Sequence, residues 1–401
     1  MRKHNTALHF FLKSLYAMLL IAIMAVVATS GSMIYDFAKP EPFKGPDIFN
    51  PYRNIDTTHC WKKANFHTHT RVEGFLNECK YWPNHVYKVY ERLGYDIVTF
   101  SNHNELTKHP FDEELQVNVY EHGYNLTKFH KLVFGSKETN HFDHLLPVLP
   151  SQIQFQLDKL GEESDIIQFN HPLHTSFITK EVMEKVGGYD IIEMDCEDDN
   201  ECEYWDWALS AGHYSFGLAG DDLHNPDDTH RVAKRCSFIC SPSAKYEDIK
   251  KVLLDGCYYS MRVPDYGNGN WDIKTEHNKR QPYIDRIGVK GDTIFIGLSQ
   301  VTDSIKIFGQ GHTTLLLATG CNYAEYVMKS EDPYARFTVY FPSGEVIFSN
   351  PFARYDASIA DSPIKNDQYS VNIPFTVLFN ATLLALLALL VFTFYKTIIR
   401  R

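Results

Sequence analysis

Two long stretches without a charged side chain, one near each end of the chain, set the terms for whatever lies between them. Ser14 to Tyr35 carries no charge, and its Leu15 to Val27 portion is almost entirely Leu, Ile, Ala, Met and Val. Pro374 to Tyr395 is also charge-free and contains Leu383-Leu384-Ala385-Leu386-Leu387-Ala388-Leu389-Leu390. At a helical rise of 1.5 Å per residue, about twenty such residues span roughly 30 Å, the thickness of a bilayer core. Arg2, Lys3 and Lys13 flank the first stretch on its outer side, and Lys396, Arg400 and Arg401 flank the second. The positive-inside rule therefore places both termini in the cytoplasm and everything between them outside it, in the periplasm or at the cell surface. Residues 1–35 read as an uncleaved anchor, or as a signal peptide with Ala28-Thr29-Ser30 at its cleavage point. Residues 374–395 read as a transmembrane helix that holds the body to the membrane in either case.

The exported body is acidic. The chain has 50 acidic and 39 basic residues, a formal charge of −11, and six of the basic ones lie on the cytoplasmic flanks just named. Binding by counterion release needs a basic face, so no stable nucleic-acid binding is expected. All eight cysteines fall in the body, where disulfides can form. Cys196/Cys202 and Cys236/Cys240 are close enough for short loops, but the spacing does not suit a cysteine zinc site and the pairing stays open. Asn125-Leu126-Thr127 is a glycosylation sequon.

After a proline-containing stalk (36–53), residues 54–265 repeat a rhythm of apolar run, loop, amphipathic helix and glycine. Pro83 opens a helix with Val86, Tyr87, Tyr90 and Leu93 at helical spacing, closed by Gly94. Gly161, Gly187, Gly212 and Gly256 read as further left-handed caps. The apolar runs Ile97–Phe100, Leu132–Phe134, Ile166–Phe169, Ile191–Met194 and Phe216–Ala219 suit parallel strands covered on both faces. Tyr204, Trp205 and Trp207 read as a core-facing helix stripe. From 280 to 352 the segments alternate apolar and polar between turns, which predicts a small β-sandwich.

The chemistry lies in the residues just after each strand. Ala64-Asn65-Phe66 leads to His67-Thr68-His69 and then Glu73; the Ile97 run leads to Ser101-Asn102-His103; the Leu132 run leads to Gly135-Ser136-Lys137-Glu138. The Ile166 run leads to Asn170-His171-Pro172, and the Phe216 run to Asp221-Asp222-Leu223-His224. Loops at the carboxyl ends of parallel strands converge on one face, and imidazole with carboxylate suits Zn, Fe or Mn. His59, His85, His109, His122, His130, His174, His213 and His230 read as surface or packed residues. Glu193 reads equally as an orienting group or as structural, and Lys137, Arg231 and Arg262 as solvated or paired cations rather than phosphate clamps.

The ordered segments Asn65-Phe66-His67-Thr68-His69, Ser101-Asn102-His103, Gly135-Ser136-Lys137-Glu138, Gln168-Phe169-Asn170-His171-Pro172 and Gly220-Asp221-Asp222-Leu223-His224 resemble the PHP (polymerase and histidinol phosphatase) family of metal-dependent phosphoesterases. The resemblance covers most of residues 60–265, and the segment from Asp332 to Asn350 resembles the β-rich tail of exported members. It implies a distorted (β/α)7 barrel carrying two or three divalent metal ions. By position, His67, His69, Glu138 and Asp222 would hold the first. Glu138 would bridge to a second held by His144 and His171, and Glu73, His103 and His224 would hold a third. His144 is preferred to His141 because Leu145-Leu146 follows it. Glu73 stands four residues beyond the second histidine where the family has Asp five beyond, and Asn102 replaces the family's Asp.

The reaction implied is hydrolysis of phosphate mono- or diesters of a small phosphorylated substrate through a metal-bridged hydroxide, with Glu138, Asp222 and His171 as catalytic residues. The alternative is a catalytically inactive metal-binding sensory or surface ligand-binding ectodomain. Substrate and oligomeric state are not legible in the sequence.

Overall fold

The computed structural model describes residues 2–55, 61–73, 77–194, 202–364 and 368–400, with side chains of the first helix described from Leu8 onward. Helix α1 (Arg2–Thr29) is followed by short strands β1 (Tyr35–Phe37) and β2 (Asp47–Phe49). The α/β region runs β3 (Lys62–Asn65), α2 (Pro83–Arg92), β4 (Ile97–Val98), β5 (Val119–His122), β6 (Lys131–Phe134), α3 (Pro150–Gly161), β7 (Ile166–Phe169), α4 (Lys180–Met183) and β8 (Ile191–Glu193). It continues with α5 (Glu203–Ala211), β9 (Phe216–Leu218), β10 (Arg235–Ile239), α6 (Tyr246–Asp255), β11 (Tyr258–Arg262) and α7 (Trp271–Asn278). The β-rich remainder holds β12 (Ile284–Lys290), β13 (Thr293–Leu298), β14 (Ser304–Gly309), β15 (Thr313–Thr319), β16 (Tyr323–Val327), β17 (Tyr334–Tyr340), β18 (Val346–Ser349), β19 (Phe352–Tyr355) and β20 (Tyr369–Val371), before α8 (Ile373–Phe394).

The apolar runs do form buried strands, but not all in one direction. β3 and β4 are parallel, as are β7, β8 and β9. β6 is antiparallel to both of its neighbours, β5 and β7. β10 is antiparallel to β3 and β11. The strands make a five-stranded sheet, β5-β6-β7-β8-β9, and a ten-stranded one, joined where Thr68 bridges Leu223 and His103 bridges Glu121. Among the described residues no closed (β/α)7 barrel forms. β4 is only two residues long, and its continuation meets β5 through the single His103–Glu121 bridge rather than through a ladder.

The β-rich region is not set apart from the site region. β12-β13-β16 form a small sheet of their own, but β15-β14-β17-β18 continue through β11, β10 and β3 as a single sheet. The join is the β11–β18 ladder, Tyr259 opposite Ser349 through Arg262 opposite Val346. Asn350 reinforces it, donating to the Gly256 and Tyr258 carbonyls and accepting from the Gly217 amide. Buried Arg336 on β17 reaches Asp206 on α5, beside Trp205, which is 1% exposed.

Gly94, Gly212 and Gly256 adopt left-handed conformations at helix ends. α4 is capped by Glu184 in a helical conformation, with neither Gly187 nor the left-handed Gly188 at its end, and Gly161 is the last helical residue of α3. Cys60 and Cys196 lie outside the described residues. Cys236 lies within β10 and Cys240 just beyond its end, and the two are not joined; the Cys240 amide donates to the Cys257 carbonyl at 3.0 Å. The sequon asparagine is 6% exposed, its amide nitrogen held by the Phe129 carbonyl and Asp143.

Leu8–Thr29 and Ile373–Ile399 are helices long and apolar enough to cross a membrane. They pack side by side. Lys13 Nζ donates to the Ile398 carbonyl at 3.1 Å near one end, and at the other Asn380 accepts from the Ser32 amide and donates to its carbonyl. No α8 side chain is buried, and on α1 only Leu20 is, among the described residues.

Candidate metal centre

Six of the residues expected at a metal site converge at the carboxyl ends of the parallel strands. His67 and His69 follow β3, His103 follows β4, His171 follows β7, and Asp222 and His224 follow β9. A side chain at Gly220 would meet His67 Cβ at 2.6 Å, so only glycine lets the end of β9 come this close to β3. The next residue, Asp221, points away from the cluster and braces its loop. Its carboxylate accepts from the amides of Ala233, Lys234 and Arg235 and from the Tyr90 hydroxyl. Asp222 and His171 both hold positive φ, 46° and 23°, a backbone state that non-glycine residues occupy at a cost.

The centre of the cluster is a residue outside the expected set. Glu121, the third residue of β5, is 1% exposed. Its Oε2 lies 3.3 Å from His67 Nε2, 3.2 Å from His69 Nε2 and 3.3 Å from His103 Nε2. Its Oε1 lies 3.2 Å from both His130 Nδ1 and His171 Nε2. Asp222 Oδ1 adds contacts at 3.2 Å to His67 and 2.9 Å to His69. Glu78 Oε2 reaches His103 at 3.1 Å and His224 at 3.0 Å. Glu193, at the end of β8, accepts from His67 Nδ1 at 2.7 Å and from the His171 amide at 2.9 Å, which fixes the ring that presents Nε2 to the cluster.

Three expected ligands are elsewhere. Glu138 is exposed and takes no part in the cluster, because it follows β6, whose antiparallel course delivers its carboxyl end to the opposite edge of the sheet. The same reversal carries Glu121, at the end of β5, and His130, just before β6, to the site face. His144 is fully buried, but its Nδ1 contacts the Thr29 carbonyl at 2.5 Å, at the end of α1. Glu73 is exposed, and Glu78, five residues further along the loop, is the carboxylate that arrives. Asn102 stays outside the cluster, accepting from the Thr70 amide and donating to the Thr70 and Thr107 hydroxyls, so it ties the His69 turn to the His103 turn.

Charge is strongly coupled here. Burial works against a charged His67, but Glu193, Asp222 and Glu121 outweigh it and raise the imidazole well above its ordinary pKa. His103 is treated likewise, burial opposing and Glu121 and Glu78 prevailing, and is pushed up to about 9. Burial alone would raise Glu121 and Asp222, yet the surrounding imidazoles hold both well below the carboxylate range. For His130 burial wins and lowers the pKa.

The donors fit cations better than protons. His67-His69-Glu121-Asp222, His69-Glu78-His103 and His103-Glu121-His130 form three overlapping groups, each with its donor atoms within 4.8 Å of one another. His67 Nε2, aimed into the first group, is buried without a hydrogen-bond partner. A cavity of about 140 Å³ opens onto the cluster, lined also by Lys128 and His174. A larger cavity of about 570 Å³, between Trp61, Lys63 and Tyr283, lies at the opposite strand ends and holds none of these groups.

No protein-family model and no curated protein matches the chain. Among solved structures it is similar to a two-domain protein from Bacteroides vulgatus ATCC 8482 containing a predicted PHP-like metal-dependent phosphoesterase. The identity is 14% and the TM-score 0.39, over 78% of this chain and 99% of that one.

Proposed function

We propose that this chain is a membrane-anchored, metal-dependent hydrolase of phosphate esters whose site region lies outside the cytoplasm. The observation that carries the reading is Glu121, a buried carboxylate whose two oxygens face two different sets of imidazoles. That arrangement suits a bridge between cations. His67, His69, Glu121 and Asp222 would hold one, and Glu121 with His130 and His171, or Glu78 with His103 and His224, would hold others. Zn, Fe or Mn would suit such donors. Divalent ions paired in this way supply charge for phosphoryl oxygens and bring water within reach of deprotonation near neutral pH.

The chain's own residues do the rest. Glu193 fixes the His67 ring, Asn102 locks two ligand turns together, and Asp221 braces the Asp222 loop. Lys128 is among the residues lining the cavity, and a cation there suits an anionic substrate. The anchor reading is supported by α1 and α8 lying together with their basic flanks, around Lys13 and Lys396–Arg400, at the same end.

The test is metal analysis of the full chain in detergent together with a panel of phosphate mono- and diesters, run beside His67→Ala and Asp222→Ala. Bound divalent metal with turnover that both variants lose supports the proposal. Stoichiometric metal without turnover on any ester points to a ligand-binding ectodomain, and absence of metal refutes both. Protease accessibility in intact cells tests the topology, and a protected central region contradicts it.

A further inference from the structure

The spans and the site meet the sheet at the same end. Thr29, the last residue of α1, contacts His144 through its carbonyl and accepts from the Leu145 amide on its hydroxyl at 3.2 Å. Gln152 donates to the Ser30 carbonyl, and the Tyr35 amide donates to Ser151 Oγ. α8 begins beside them, its Thr376 hydroxyl accepting from the Ile34 amide at 2.8 Å. The segment that receives these contacts, 144–152, leads into the amino end of α3, which lies at the site face because α3 descends to the start of β7.

From there the connection to the cluster is short. The Leu145 carbonyl accepts from the Leu126 amide at 2.9 Å, Asp143 accepts from the Tyr124 amide at 2.7 Å, and the Tyr124 hydroxyl donates to the His103 carbonyl at 3.0 Å. The loop that carries His171 is fastened to the same hairpin, Ser176 to the Thr127 carbonyl and Thr175 to the Lys128 carbonyl. These loops show apolar side chains to the outside. Leu126 is 68% exposed and Phe177 52%, with Phe142, Val148, Leu149 and Leu173 also exposed. Since Leu126 is hydrogen-bonded to Leu145, whose amide holds the Thr29 hydroxyl at the end of α1, this rim stands at the level where that span leaves the bilayer.

We propose that the cavity mouth is held against the bilayer surface and that the substrate is a phosphate ester carried by a membrane lipid, an inference that rests on the phosphoesterase and anchor readings above. The apolar rim contacts acyl chains while Lys128, which lines the cavity two residues along the chain from Leu126, meets the anionic headgroup. A site fixed this close to the membrane samples lipid-borne esters at surface concentration.

The experiment reconstitutes the full chain in phosphatidylcholine vesicles carrying phosphatidic acid or phosphatidylglycerol, with an aqueous aryl phosphate assayed in parallel. Leu126→Glu combined with Phe177→Glu is expected to lower lipid-ester turnover about ten-fold and to leave aryl phosphate turnover within about two-fold. Position is read independently of activity. Leu126→Trp is expected to gain emission quenched by acyl-brominated lipid over the wild-type background, whereas Leu317→Trp on β15 is not. Equal loss on both substrates, faster turnover of the aqueous ester than of either lipid, or absence of quenching at position 126 overturns the proposal while leaving the phosphoesterase reading intact. If neither class of ester is hydrolysed, the phosphoesterase reading fails and this inference falls with it.

Discussion

Replacing Glu121 by glutamine keeps the side chain's shape and removes half of its usefulness. An amide retains one acceptor oxygen and places an NH2 group where the other stood. Whichever way it turns, either the His67, His69 and His103 nitrogens at 3.2–3.3 Å or the His130 and His171 nitrogens at 3.2 Å face a donor that holds no cation. Loss of even an outer partner of a ligand costs about 10- to 100-fold in metal affinity, and here the bridging group itself loses its charge, so the expected cost is about 3 kcal/mol. That corresponds to roughly 100-fold weaker binding of one metal equivalent. The assay strips the full chain with chelator in detergent, titrates Zn2+ or Mn2+ back and counts bound metal by elemental analysis. Glu138→Gln is the matched control and is expected to bind as wild type, since Glu138 is exposed and away from the cluster. Loss of metal from Glu138→Gln with full binding by Glu121→Gln would refute the reasoning, and with it the strand polarity on which it depends.

Glu193→Gln weakens the hold on the His67 ring and is expected to lower metal affinity 10- to 100-fold without unfolding the chain, read by competition titration and circular dichroism. Gly256→Ala forces a side chain into positive φ and brings Cβ to 2.1 Å from the Phe216 ring, so a loss of about 1–3 kcal/mol is expected in denaturant titration. Asp206 is buried, which raises its pKa, but Arg336 and His312 prevail and hold it below the carboxylate range. Its stabilising contribution is therefore complete above the unfolded-state pKa near 4 and is lost as pH falls through the lower folded value. Asp206→Asn is expected to cost about 3–5 kcal/mol at neutral pH by leaving Arg336 buried and unpaired, and to flatten the acid limb of the stability curve.

The sequence makes part of this site legible because strand direction and residue order agree there. β3, β4, β7 and β9 share a direction, so the histidines and Asp222 that come after them share a face. Treating Leu132–Phe134 as another parallel strand sends Glu138 to that face and hides Glu121. The corrective signal is in the chain. Val119-Tyr120-Glu121-His122 is a strand whose two polar residues mask its apolar character, and only Gly123–His130 separates it from β6. A link that short cannot make the crossover a parallel pair needs, so the two strands form a hairpin. Glu78 is harder to find, since no periodicity marks which acid in the loop after His69 turns inward. The (β/α)7 expectation fails for a related reason, in that residue pattern reports burial on both faces but not whether neighbouring strands extend far enough to pair.

The ladder between β11 and β18 also limits how the chain can be taken apart. Cutting the polypeptide after β11 would strip the partner from Tyr259–Arg262 and leave a row of bare amides and carbonyls along strands whose side chains are almost wholly buried. Such an edge invites pairing with other chains. The β-rich region of the protein thus serves as the permanent cover for the flank of the metal-site sheet. A fragment ending there is expected to aggregate, and domain exchange during evolution would have to carry both halves together.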